Sequence, residues 1–245
     1  MYSTEINGEV LEFGTSGWLF RSNKLMYDRS TNTLWQQFRG EPVVGSLADS
    51  GITLEVLPVA LTTWADWVEA HPDTTVLDVQ TGVYPARAYL PESDEDSGYF
   101  GYRQRDEALF PVPERSELLP TKAQVLGLTF NGQARAYPQA VLGRNPVIND
   151  SLGGGDVVVV TPDEGGGSRA YQRGGHRFIA VENDGADGGA VFLVDDEGRK
   201  WRMDEEALVS TGDPSTRLPR LPSRTSYWFG WYSFYPATEV FTPDQ

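Results

Sequence analysis

The sequence predicts a mainly β, β-rich α+β protein of two interlocked pseudo-repeats of short strands, each ending in a short Trp-x-x-Trp helix and a strand. Three observations predict it. A 20-residue stretch is written twice, the segments between turn residues are short and β-favouring, and helical patterns are few.

The duplicate comes first. Residues 57–76, LPVALTTWADWVEAHPDTTV, return as residues 221–240, LPSRTSYWFGWYSFYPATEV, at a constant offset of 164 positions. Leu54, Leu57, Pro58, Trp64, Trp67, Pro72, Thr74 and Val76 match Leu218, Leu221, Pro222, Trp228, Trp231, Pro236, Thr238 and Val240 without an insertion. Upstream, FLVDDEGRKW echoes LMYDRSTNTLW, each an apolar strand, an acidic turn and then Trp201 or Trp35. Pseudo-repeat one is set at about residues 3–84, the connection at about 85–124 and pseudo-repeat two at about 125–243, all within a single domain, 1–245. The same offset sets residues 125–160 against positions before Met1, so the first copy lacks a counterpart of that stretch and its front is expected to be missing.

The strands follow from alternation and turn chemistry. NGEVLEFG, KLMYDR, TLWQQF and TVLDV carry β-favouring residues, and Asn131-Gly132 between VLGLTF and QARAY is a two-residue hairpin turn. Val157 to Val160, bounded by GGGD and Thr161-Pro162, reads as a buried strand. For the first helix Thr62 or Thr63 caps and Pro72 terminates, because the residue before proline is pushed out of the helical region. Trp64 and Trp67, three apart, share a face. In the second copy Ser226 caps and Pro236 terminates, while Phe229, Tyr232, Phe234 and Tyr235 make nearly the whole circumference apolar and predict deep burial. Residues 91–124 are charged and interrupted by Pro91, Pro111, Pro113 and Pro120, yet Tyr99, Phe100, Tyr102 and Phe110 make them an ordered surface crossing rather than a solvated tether.

Composition narrows the function classes. The net charge is −15, from 35 carboxylates against 20 Lys and Arg, of which only Lys24, Lys122 and Lys200 are lysines. Such a surface repels nucleic acid and anionic membranes, and it suits a halophilic, salt-adapted source in which screening relieves self-repulsion. No apolar run reaches the roughly 20 residues of a membrane span, so no direct membrane insertion is expected. The first residues carry no export signal. Cysteine is absent and only His71 and His176 are present, so thiol chemistry is excluded and no metal or cofactor is expected. A monomer with a small polar ligand or a protein partner is the expectation.

Candidate sites compete with structural roles. Trp64 and Trp67, like Trp228 and Trp231, read first as helix ends packed in a β core and second as an aromatic platform for a sugar or a quaternary amine. Tyr27, Asp28, Arg29 and Trp35 read as a locally bonded hairpin or as a polar ligand site. Asn149 and Asp150, with Asp156, Asp163 and Glu164, lack the one-three-five spacing of a calcium loop and read as an Asx turn into glycines. The glycine runs lack a phosphate-binding lysine and lead into no helix. His71 stands at a helix end and His176 in a turn beside arginines, neither near a nucleophile elbow, and no carboxylate pair is singled out by spacing.

The strings FGTSGWLFRSNKLMYDRSTNTLWQQFRGEPVVG, LEVLPVALTTWADWVEAHPDTTVL, VLGLTFNGQARAYP and NPVINDSLGG resemble the bacterial and archaeal family catalogued as domain of unknown function 3179, over nearly the whole chain. The resemblance implies no assigned activity. It does imply an extracytoplasmic or cell-envelope location, since members commonly look exported or lipid-anchored. It further implies a front segment similar to residues 125–170 that carries a paired-cysteine string, where the second copy here has Asp163 and Glu164. The expected function is a non-catalytic binding or scaffold domain of the envelope, with contacts at Tyr27, Asp28, Arg29, Trp35, Trp64 and Trp67. The alternative is a carboxylate-dependent hydrolase acting on an uncharged substrate such as a glycan.

Overall fold

Short strands between turn residues set the architecture. The computed structural model describes residues 1–80, 82–162, 167–183 and 190–243. The first half holds β1 (Glu5–Ile6), β2 (Glu9–Val10), β3 (Phe13–Phe20), β4 (Asn23–Asp28), β5 (Leu34–Gln36), β6 (Pro42–Val44) and α1 (Trp64–Ala70). The connection carries one 3-10 turn (Ala86–Tyr89) and α2 (Phe100–Arg103). The second half opens with β7 (Gln124–Phe130), β8 (Gln133–Pro138), α3 (Gln139–Leu142), β9 (Val147–Leu152), β10 (Gly155–Val160) and β11 (Arg169–Gln172). It continues through β12 (Phe178–Asn183), β13 (Val191–Asp195), β14 (Lys200–Met203), β15 (Ala207–Ser210) and β16 (Arg217–Leu221), and closes with β17 (Ser223–Tyr227), α4 (Trp228–Phe234) and β18 (Glu239–Val240).

Three larger sheets result. Eight antiparallel strands in the order β12-β13-β14-β15-β16-β11-β10-β9 curl until their edges nearly meet. Asn149 on β9 bridges them, its amide donating to the Phe178 carbonyl at 2.7 Å and accepting from the Phe178 N–H at 2.9 Å. The second sheet runs β17-β7-β8-β18, with β18 parallel to β8, and the third runs β3-β4-β5-β6. The Asn131-Gly132 turn joins β7 to β8 with φ of 48° and 79°, the left-handed pair that a two-residue hairpin demands. Val157, Val158, Val159 and Val160 on β10 are all fully buried, as a continuous apolar run predicts.

The two halves meet at α4. Its Trp228, Trp231 and Phe234 pack with Val125 and Ala136 of the second half and with Phe38 and Phe20 of the first. Phe38 stacks on Phe234 at 4.5 Å, and Gly230 leaves room for the Phe38 ring. Arg224 donates to the Gln37 carbonyl at 2.5 Å and to the Tyr2 hydroxyl at 3.0 Å, tying β17 to the first half. The connection is ordered across this junction: Val112 is buried, the Lys122 ammonium lies 3.7 Å over the Tyr102 ring, and Trp228 Nε1 donates to the Ser116 carbonyl at 3.2 Å.

Several expectations change. Asn149 and Asp150 are not an Asx turn but central residues of β9, because their neighbours Ile148 and Leu152 face the core and impose the period of a strand. Ser226 lies inside β17 and Tyr227 takes the N-cap of α4, so that end carries no side-chain cap. TVLDV forms no strand, and no strand among the described residues pairs with it. Asp163 and Glu164 lie outside the described residues.

Candidate functional site

The two Trp-x-x-Trp helices are built alike. In α1, Trp67 Nε1 donates to Thr74 Oγ1 at 3.0 Å; in α4, Trp231 Nε1 donates to Thr238 Oγ1 at 2.9 Å. The C-cap residues have nearly the same torsions, φ −135° and ψ 68° at His71 against φ −129° and ψ 66° at Tyr235. Each C-cap ring tilts on the preceding tryptophan, at 4.1 Å for Trp67 and His71 and 4.2 Å for Trp231 and Tyr235. The conserved intervals therefore specify a local device: a two-turn helix, a proline stop, and a threonine that returns to satisfy the indole.

What covers the device differs. Trp228 and Trp231 are 0% and 1% exposed, whereas Trp64 and Trp67 are 54% and 40% exposed. On α4 the cover is β7 and β8. β7 presents Gly127 where a Cβ would stand 2.2 Å from the Trp231 ring, so only glycine lets the indole lie flat on the strand. Among the described residues no such strand stands over α1. The helix itself is well formed, with Thr63 Oγ1 accepting from the Asp66 N–H at 3.2 Å, so the exposure is a property of a folded element. The expectation that both tryptophan pairs pack in the core holds for α4 only.

The Tyr27, Asp28, Arg29 and Trp35 group is differently placed. Asp28 and Trp35 are fully buried and bond each other, Trp35 Nε1 donating to Asp28 Oδ2 at 3.0 Å. The same carboxylate accepts from the Thr31 N–H at 2.6 Å and the Thr31 hydroxyl at 2.8 Å, closing the β4-β5 turn. Burial alone would raise the Asp28 pKa, but the bonds from Trp35 and Thr31 outweigh it and hold the carboxyl below the usual aspartate range. Arg29 is half exposed, pairs with Glu12 at 2.7 Å and leans over the Tyr27 ring, which itself lies against Gly14. Asp28 and Trp35 thus present no surface to a ligand.

The second half repeats this lock with a different partner. Trp201 Nε1 donates to buried Asp195 Oδ2 at 3.1 Å, and Arg199 supplies a charged bond at 2.8 Å to the same oxygen. Burial opposes ionisation of Asp195, and Arg199 and Trp201 reverse it, so its pKa is also lowered. His176 closes the cluster, its ring 4.7 Å from Trp201 and its Nδ1 3.5 Å from Asp195. Nearby, Arg135 forks onto Asp150 with two contacts of 2.6 Å, Tyr137 donates to the same carboxylate at 2.7 Å, and Glu239 pairs with Arg135 from β18. Burial first, then the adjacent Asp150 charge, push the Tyr137 hydroxyl far above its usual range. These groups fasten strands to one another.

Among the described residues no set of three or more His, Asp and Glu is placed to hold a metal ion, and no helix is long and apolar enough to cross a membrane. A cleft of about 670 Å³ lies between the halves, lined by Phe38, Arg39 and Glu41 on one side and Phe130, Gln133 and Glu239 on the other. Its carboxylates are engaged, Glu41 with Arg39 at 3.0 Å and Glu239 with Arg135. Among the described residues, the face of α1 is an exposed aromatic surface with no strand across it. Residues 59–63 and 75–76, which flank it and align with β17 and β18, form no ladder among the described residues; the Leu61 carbonyl accepts from the Gly167 N–H at 2.6 Å.

No curated protein and no solved structure matches the chain. The family model described as protein of unknown function (DUF3179) matches residues 1–238, and the chain belongs to that family.

Proposed function

We propose that the protein is a non-catalytic binding or scaffold domain of the cell envelope in a salt-adapted prokaryote, with the open face of α1 as its contact surface. One observation carries the reading. A helix with the same C-cap torsions, proline stop and indole bond is covered in one half and open in the other, leaving two tryptophans about half exposed. Large aromatic faces grouped in this way are what interfaces use as anchors. The acidic surface, with a net charge of −15, supports the salt-adapted part of the reading.

The hydrolase alternative needs a carboxyl kept protonated near neutral pH. Among the described residues the carboxylates whose acidity is displaced, Asp28, Asp195, Asp204, Glu205 and Asp213, are all held below their usual range.

The test is a thermal-shift screen of soluble glycans, quaternary amines and peptides on the wild-type chain and on a Trp64→Ala/Trp67→Ala variant. The variant is expected to melt within a few degrees of the wild type and to lose every ligand-induced rise in Tm. A rise that survives in the folded variant moves the contact surface away from α1.

A further inference from the structure

Resting on that reading, we propose that the open face of α1 takes a two-stranded antiparallel β-hairpin from a polypeptide partner, docked as β7 and β8 dock on α4. A glycine of that hairpin meets Trp67. Three features of the α4 contact have an open twin at α1. The first is the aromatic face, Trp228 and Trp231 against exposed Trp64 and Trp67. The second is an edge: β17 pairs antiparallel with β7, whereas among the described residues the matching residues 59–63 pair with no strand, the Leu61 carbonyl accepting from the Gly167 N–H at 2.6 Å. The third is another edge: β18 pairs parallel with β8, whereas among the described residues the matching residues 75–76 pair with none, and Val76 is exposed.

The geometry selects the class of occupant. A sugar or a quaternary amine would meet the indoles but leave both backbone edges without a paired strand, and a lone strand would satisfy only one. A hairpin meets the indoles and both edges at once, because its two strands lie side by side between β17 and β18 in the covered half. The register follows too. Arg224 faces Gly127 across β17 and β7, and position 60 matches position 224, so the partner's glycine stands opposite Ala60. A second copy cannot lend its own β7-β8 hairpin without uncovering α4, since Leu126, Leu128 and Tyr137 there are core residues.

The probe is a backbone-cyclised peptide carrying residues 123–138, closed by a D-Pro-Gly turn and confirmed as a hairpin by NMR. It contains no tryptophan and is titrated into the full Trp18→Phe chain. The expected result is saturable binding that blue-shifts the tryptophan emission, lowers acrylamide quenching about twofold and slows amide exchange at residues 59–63 and 75–76. A peptide carrying Gly127→Val is expected to bind at least about tenfold more weakly, as is a Trp67→Ala chain. No saturable binding, or equal binding by the Gly127→Val peptide, overturns the proposal. So does burial of Trp64 and Trp67 by self-association alone. A glycan or amine held by Trp64 and Trp67 while the peptide is refused sinks the hairpin but keeps the binding-surface reading; an unfolded Trp64→Ala/Trp67→Ala chain sinks both.

Discussion

Replacing Trp231 by Ala and, separately, Trp67 by Ala compares one device in two surroundings. Trp231 is 1% exposed and lies flat on Gly127, so its removal leaves an indole-sized cavity between β7 and α4. Trp→Ala at such sites costs about 3–5 kcal/mol. Trp67 has the same hydrogen bond to its threonine but is 40% exposed, so much of its surface is in water already. Losing that half-solvated bond costs about 0.5–1.5 kcal/mol, and the helix preference for Ala returns about 0.5. The net expectation is about 0.5 kcal/mol, so the two variants should differ by about 3 kcal/mol or more. Urea denaturation followed by far-UV circular dichroism reads this directly. With a slope near 3 kcal/mol/M, the Trp231→Ala midpoint should fall by about 1 M or more and the Trp67→Ala midpoint by about 0.2 M. Equal losses would refute the reasoning, because they would make both helices equally part of the core.

Other outcomes follow from the same contacts. Gly127→Ala should destabilise by about 1–3 kcal/mol in the same urea assay, while Gly101→Ala, with open space around it, should be neutral or slightly stabilising. Asp28 and Asp195 have folded pKa values below the usual aspartate value of about 3.9, so their contribution is present above that pH and is lost as pH falls through the folded values. Accordingly, the stability gap between wild type and Asp28→Asn, or Asp195→Asn, should stay constant from neutral pH to about 4.5 and shrink below about 4. The charge of −15 predicts that Tm rises from dilute buffer to molar potassium chloride; a flat series would remove the salt-adaptation reading.

Much of the fold was legible in periodicity and punctuation. Asn131-Gly132 marks its hairpin because few other residues tolerate two consecutive positive φ values, and the four valines of β10 mark a strand buried on both faces. The Trp-Thr interval of seven residues, which recurs at Trp67-Thr74 and Trp231-Thr238, carried the shared helix device. Burial was not legible. Trp64 and Trp228 occupy matching positions, yet exposure depends on whether a separate stretch, β7 with Gly127, lies across the helix, and that stretch is about 100 residues from Trp228. The local bonding of Asp28 was legible, but its burial was hidden for a similar reason. An acidic turn looks solvent-facing in one dimension, and only the return of Trp35 and Thr31 onto the same carboxylate shows that it faces inward. Arg199, the charged partner of Asp195, stands four residues on, whereas Arg29 directly follows Asp28, so the two arginines do not align in the repeat.

The asymmetry between α1 and α4 is the central claim, and fluorine NMR of the 5-fluorotryptophan-labelled chain tests it most directly. Single Trp→Phe variants assign the seven resonances. Trp18, Trp64 and Trp67 should show a solvent isotope shift and broaden with a soluble gadolinium chelate, while Trp35, Trp201, Trp228 and Trp231 should show neither. Protection of Trp64 and Trp67 in the free chain, matching that of Trp228 and Trp231, would contradict the account.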